Sequence, residues 1–206
     1  MGLIKLLIND PFTFLLLAIP LLYSVIVHEL AHGWVAFMMG DSTAKRLGRL
    51  TLNPLKHLDP LGTLMLFIVG FGWAKPVPVN LENIPNRRTG FVLVSAAGVV
   101  ANTIFAFVAI LVMQILAPLP KGPTATFLYY LAQINIILAA FNLIPIPPLD
   151  GSKIVMGFLP DNIRYIFHRM EPYGFFVIII LLYLGVLNPV IAFFRWLILG
   201  IIGLFL

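Results

Sequence analysis

Apolar residues fall in six blocks: Phe12 to Met39, Leu61 to Trp73, Gly90 to Leu119, Ala125 to Leu149, Tyr173 to Leu187 and Pro189 to Leu206. Pro11, Gly40, Pro60, Pro76, Pro120 and Pro189 punctuate them. A helix needs roughly 20 residues to cross about 30 Å of hydrocarbon. The first, third and fourth blocks are long enough; the 13 residues Leu61 to Trp73 are not, and are expected to dip in and leave on the same side. The run Gly70 to Asn80 carries Gly and Pro at a spacing that opposes a helix, and its alternating Val and Pro fit an extended edge strand or hairpin. The first 30 residues lack a basic leader and an A-x-A-like cleavage site, which reads as a retained span.

Composition agrees with a chain built for lipid. Of 206 residues 61% are hydrophobic and 10% charged, with a mean hydropathy of +1.03, where a soluble domain carries about 25% charged side chains. A water-soluble globular protein is excluded. The net charge of +5 is spread over short loops, which indicates a membrane surface and not nucleic acid. If Leu61 to Trp73 does not cross, Lys45, Arg46, Arg49, Lys56, Lys75, Arg87, Arg88, Lys153, Arg164 and Arg169 share one side against Lys5 and Lys121 on the other, with Arg195 inside the last block. The positive-inside rule then makes the first side cytoplasmic and the amino terminus external. The expected fold is an all-α polytopic membrane protein: one domain over 1–206, a helical bundle of about five to six membrane segments with a short re-entrant, β-like element. Its core covers about 12–160, and a C-terminal helical hairpin over about 173–206 ends in the cytoplasm.

The first block contains His28-Glu29-Leu30-Ala31-His32. Two His four residues apart stack on one helix face and can reach one ion, while the adjacent Glu projects nearby without having to bind it. In hydrocarbon these groups cost several kcal/mol unless paired or metal-bound, so the choice is between a zinc site and a polar knot that glues helices. Cysteine is absent, so any further ligand is His, Asp or Glu. A zinc site needs a third protein ligand and one open position. Among the eight carboxylates Asp150 stands apart, because it closes Asn142-Leu143-Ile144-Pro145-Ile146-Pro147-Pro148-Leu149-Asp150-Gly151, where three Pro unwind the end of a block. The freed backbone groups must line a cavity or bind a partner. Capping a helix that starts at Gly151 is the other reading of Asp150. Asp41, Asp59 and His57 read as loop residues, Ser24 as a hydroxyl bonded to its own helix, and Gly98 with Ala101 and Asn102 as a packing signal.

These motifs together resemble the site-2 protease family of intramembrane zinc metalloproteases. His28 to His32 and Asn142 to Gly151 are similar to its two metal motifs, and Asn53 to Gly62 and Gly72 to Asn80 look like its compact prokaryotic branch. Ala97 to Asn102 resembles its A-G-P-x-x-N stretch, with Val99 where Pro is usual. The resemblance implies one Zn²⁺ held by His28, His32 and Asp150, with Glu29 as catalytic base and Asn142 holding the substrate backbone; Asn102 is a candidate for the same task. The Val77 to Asn80 edge is expected to pair with an unwound substrate segment through Val77 and Val79. The expected substrates are single-span or signal-peptide-like segments in the lipid bilayer of a prokaryotic cell membrane, cut toward the cytoplasmic side. No PDZ or cystathionine-synthase-like gating domain fits between the blocks. Two rivals use the same residues: a metal transporter with a transit site, and an inactive scaffold.

Overall fold

The structure, a computed structural model, describes residues 3–70, 72–116 and 122–206; Phe71, Pro120 and Lys121 lie outside the described residues. Those described form α1 (Leu3–Asn9), α2 (Pro11–Met38), α3 (Thr43–Arg46), α4 (Pro60–Val69), α5 (Arg87–Ile115), α6 (Pro123–Asn142), α7 (Asp150–Phe158), α8 (Asp161–Tyr183) and α9 (Asn188–Gly203). Residues within α2, α5, α6 and α8 are long and apolar enough to cross a membrane, and α9 is a shorter apolar helix. The chain is an all-α, multi-pass membrane protein.

Local chemistry sets the helix starts. Asp10 accepts from the Thr13 amide at 3.0 Å ahead of Pro11, Asp59 accepts from the Gly62 amide at 2.7 Å ahead of Pro60, and Asn86 accepts from the Thr89 amide at 3.2 Å. Each satisfies an orphan donor of a first turn. The α5, α6 and α9 helices meet on Val99, Ala106, Ile136, Ala139, Ala140, Ile198 and Ile202; the small side chains there let backbones approach closely where no hydrophobic force drives helices together.

The short block returns to where it started. α4 spans 10 residues, about 15 Å at 1.5 Å per residue, half the hydrocarbon thickness. It ends on Gly70 in the left-handed conformation, φ 77°, and the chain comes back to pair Ala74 with Leu58 in an antiparallel bridge. The Lys75 amide donates to the His57 carbonyl at 2.7 Å.

Two expectations and one alternative reading change. Val77 to Asn80 is not a strand: among the described residues there is only that isolated bridge, because Pro76 and Pro78 have no N–H for a ladder. The C-terminal hairpin begins well before Tyr173, since α8 runs from Asp161 straight through Pro172. Proline removes one hydrogen bond, whereas ending a helix in lipid would orphan several. Asp150 is not the cap of α7 but its first residue, following Leu149.

Candidate metal centre

α2, α5 and α7 bring the chemistry together. His28 and His32 stack on one face of α2, and their Nε2 atoms are 3.2 Å apart. Asp150 Oδ2 lies 3.0 Å from His28 Nε2 and 3.1 Å from His32 Nε2. His28 and Asp150 are buried and His32 is nearly so. A tetrahedral ion with bonds of about 2.0–2.1 Å has ligand atoms about 3.3 Å apart, so this triangle matches one tetrahedral face to within a few tenths of an ångström. The donor set, two imidazoles and one carboxylate, suits zinc and leaves a fourth position for a non-protein ligand.

Each candidate ligand is held by a second contact. His32 Nδ1 is 2.6 Å from the Val94 carbonyl on α5; a carbonyl only accepts, so Nδ1 carries the proton and Nε2 presents its lone pair to the centre. His28 lies against Gly98, where a Cβ would come within 2.5–2.6 Å of three atoms of its ring. Asp150 is delivered by the turn over residues 143–149, where Ile144 and Leu149 pack against Ile178 and Leu187. Ile144, Pro147 and Leu149 of that turn are buried, so protein covers part of an irregular backbone that bare lipid would not tolerate. Lys153 Nζ stands 3.7 Å from Asp150 Oδ1, one turn along α7.

Glu29 faces a cavity of about 270 Å³ whose walls include His32, Asp150, Lys153, Ser95, Val77 and Val79. Its Oε2 accepts the Val77 amide at 3.0 Å, tying the candidate base to an extended strap over residues 74–80. The strap owes its shape to side chains. Arg49 Nη2 donates to the Lys75 carbonyl at 2.8 Å, and the Asn80 amide donates to Asp41 Oδ2 at 2.7 Å. His57 pins the preceding loop through the Thr51 carbonyl, 2.7 Å from its Nε2.

Asp41 and His57, read from sequence as solvated loop residues, are therefore buried, at 0% and 1% exposure. Asp41 also accepts from the Thr43 amide and hydroxyl and from Asn83 Nδ2. Burial by itself would raise its pKa, but the hydrogen bonds from Thr43, Asn83 and Asn80 outweigh it and hold the carboxyl below its ordinary value. A depressed pKa means stability that is present above the unfolded value near 4 and is lost as pH falls through the folded value. Asp41→Ala should cost about 1–3 kcal/mol, since the part-buried hydrogen bonds from Thr43, Asn80 and Asn83 lose their acceptor and water can replace it only in part. In thermal melts of the purified protein the wild type should lose this margin below about pH 4 while Asp41→Ala shows a smaller acid loss; parallel pH curves would refute it.

The two asparagines sit elsewhere. Asn142 is half-buried and its Nδ2 donates to the Leu138 carbonyl of its own helix at 2.9 Å. Asn102 is 0% exposed. Neither lines the cavity beside Glu29. Ser24 does not stand alone on its helix: it accepts from Asn135 Nδ2 at 2.8 Å. The sequence reading passed over Asn135, a polar residue at a fully buried position of α6, and took Gly98 for general packing.

Comparison with known proteins identifies the family. The model of "Peptidase family M50" matches residues 117–185, the stretch that contains Asn142 to Asp150. The chain is 44% identical over 173 residues to "Putative zinc metalloprotease YwhC" of Bacillus subtilis, covering 80% of this chain and 78% of that one. It is 28% identical over 184 residues to "Putative zinc metalloprotease Rip2" of Mycolicibacterium smegmatis, covering 85% of this chain and 69% of that one. With "Zinc metalloprotease MJ0392" of Methanocaldococcus jannaschii the identity is 28% over 158 residues, 77% of this chain and 38% of the other. No solved structure matches with significance. Two metal motifs that fold onto one triangle, and a relative sharing close to half its residues over most of both chains, lead to one conclusion: the chain belongs to peptidase family M50, the site-2 protease family.

Proposed function

We propose that this membrane metalloprotease is an intramembrane zinc endopeptidase that cuts transmembrane or signal-peptide-like segments. The observation that carries the reading is the 3.0–3.2 Å triangle of His28, His32 and Asp150 beside a cavity that Glu29 shares with an extended strap. His28, His32 and Asp150 would hold one Zn²⁺ per chain. Bound there, zinc would supply Lewis acidity, which acidifies water and polarises a carbonyl.

The chain's own groups do the rest. Glu29 takes the proton of the attacking water at a carboxylate oxygen and later gives it to the nitrogen of the leaving amine. The Val77 amide, bound to Oε2, restricts the rotamers from which Glu29 does so. A substrate helix hides its carbonyls in its own hydrogen bonds and must unwind first. We assign an extended segment to the strap, where Val77 and Val79 form part of the cavity wall. Asn142, at the end of α6, donates to its own helix and lies outside the cavity wall, so a substrate contact from it requires its side chain to leave the Leu138 carbonyl. A transporter has no use for a proton shuttle next to a ligand, and a scaffold has no reason to keep Glu29.

The test is incubation of purified protein with a panel of single-span and signal-peptide-like peptides, with and without chelator. Chelator-sensitive cleavage within the apolar segment is expected, and the absence of cleavage from every peptide by zinc-loaded protein would sink the protease reading.

The centre is assigned to the cytoplasmic half, on the ten-to-two bias of basic residues. In the cysteine-free chain, single cysteines at the exposed positions Arg46 and Asn86 should react with an impermeant thiol reagent only after the cytoplasmic face is opened. One at exposed Thr124 should react from outside. Opposite behaviour of positions 46 and 86 would refute this orientation.

A further inference from the structure

The two imidazoles of the centre are not equally held. His32 gives its Nδ1 proton to Val94, whereas His28 Nδ1 is buried with no hydrogen-bond partner. A metal-ligating His almost always donates its second N–H to a carboxylate, a carbonyl or a water, which fixes the tautomer and the ring direction. An unpaired buried N–H beside a metal ligand therefore calls for an acceptor.

One residue nearby has the complementary defect. Asn102 is 0% exposed, and neither its Oδ1 nor its Nδ2 has a partner; leaving such atoms unpaired in an apolar bundle costs about 1–3 kcal/mol apiece. Its level follows from two contacts. His32 meets Val94 and His28 meets Gly98, so α2 and α5 run antiparallel with numbers changing four by four in opposite senses. One more turn sets Asn102 at the level of Ser24. Ser24 is itself bonded by Asn135 from α6, and Asn135 Oδ1 is also unpaired. A polar layer of Ser24, Asn102 and Asn135 thus lies one helical turn, about 6 Å, beyond His28 toward the start of α2. Side chains on a helix lean toward its N-terminus, so the His28 ring leans toward this layer.

We propose that Asn102 is a positioning residue for the metal centre: its Oδ1 accepts the Nδ1 proton of His28, directly or through one buried water shared with Asn135. This moves Asn102 from the substrate to the metal, and it rests on the zinc reading above. The layer has the two to four polar partners that a buried water needs, and all three side chains are sealed from solvent. Held this way, His28 keeps its Nε2 lone pair on the triangle and gains basicity as a ligand.

The experiment measures zinc affinity of the purified full chain by competition with a chromophoric chelator, and the visible spectrum of the Co²⁺-substituted protein. Asn102→Leu keeps the number and branching of the heavy atoms and deletes both polar atoms; it should weaken zinc binding about 10–100-fold and alter the cobalt bands. Asn102→Asp keeps an acceptor of the kind that commonly orients a metal-bound His and should bind zinc more tightly than the Leu variant. If the Leu variant does not fold, Asn102→Ala against Asn102→Asp makes the same comparison, with the Ala variant expected to be weaker. Wild-type zinc affinity and an unchanged cobalt spectrum in the Leu or Ala variant would overturn the proposal, as would a raised KM with zinc affinity intact, the signature of a substrate contact. A wild-type chain that takes up no zinc would instead overturn the zinc reading itself, a result distinguishable from both.

Discussion

Gly98→Ala should abolish zinc binding and peptide cleavage while leaving the protein folded. The added methyl would stand 2.5–2.6 Å from Cε1, Nδ1 and Nε2 of His28, about 1 Å inside ordinary contact distance. The ring cannot swing freely away, because its Nε2 belongs to a triangle with His32 and Asp150 whose edges are 3.0–3.2 Å. Either the imidazole leaves that triangle or α5 moves from α2, which would also pull Val94 from His32. A misplacement of about 1 Å at a catalytic centre costs about a hundredfold in rate, and loss of a ligand costs more. The effect on stability is small by comparison: overpacking costs about 1–3 kcal/mol, and alanine returns about 0.5–1 kcal/mol in a helix interior. Metal analysis, peptide cleavage and thermal melts on the same preparation separate the two effects. A full equivalent of zinc in Gly98→Ala would show that the helix spacing adjusts, and would remove the argument.

Glu29→Gln should show the opposite pattern, with zinc retained and cleavage reduced at least about a hundredfold. Glutamine keeps the length of the side chain and a carbonyl oxygen that can still accept the Val77 amide, now 3.0 Å from Oε2, so the strap keeps its place. What disappears is the group that takes the water proton and returns it to the leaving nitrogen. The ligand triangle does not include Glu29, so metal content should not change. Cleavage at wild-type rates by this variant would remove Glu29 from the mechanism while leaving the metal reading intact. Reduced cleavage with reduced zinc would instead mark Glu29 as structural.

The apolar blocks and the motif at His28 to His32 were legible because both are short-range facts. Span length is fixed by rise per residue against bilayer thickness, and two His at four-residue spacing share a helix face whatever else the chain does. Asp150 was found for a related reason: three prolines before it announce irregular backbone, which lipid does not tolerate unless protein covers it. The re-entrant block was legible from length and charge bias, since 10 helical residues do not reach across.

The rest depended on distance along the chain. Asp41 and His57 look like ordinary loop residues because nothing near them in sequence is their partner; Asp41 is buried by Asn80 and Asn83, about forty positions on. The strap looked like a strand because alternation is what a strand shows, but two prolines deny it a ladder and side chains from α2 and its following loops hold it instead. Gly98 and Asn102 gave only a small-residue pattern. The sequence by itself determined the membrane fold class and singled out His28, Glu29 and His32 as candidates, because spacing along single elements carries them. Only the tertiary structure decided what surrounds the candidate ligands: Gly98 makes room for one imidazole and Val94 orients the other. Those relations join residues about seventy positions apart, and helix packing sets them.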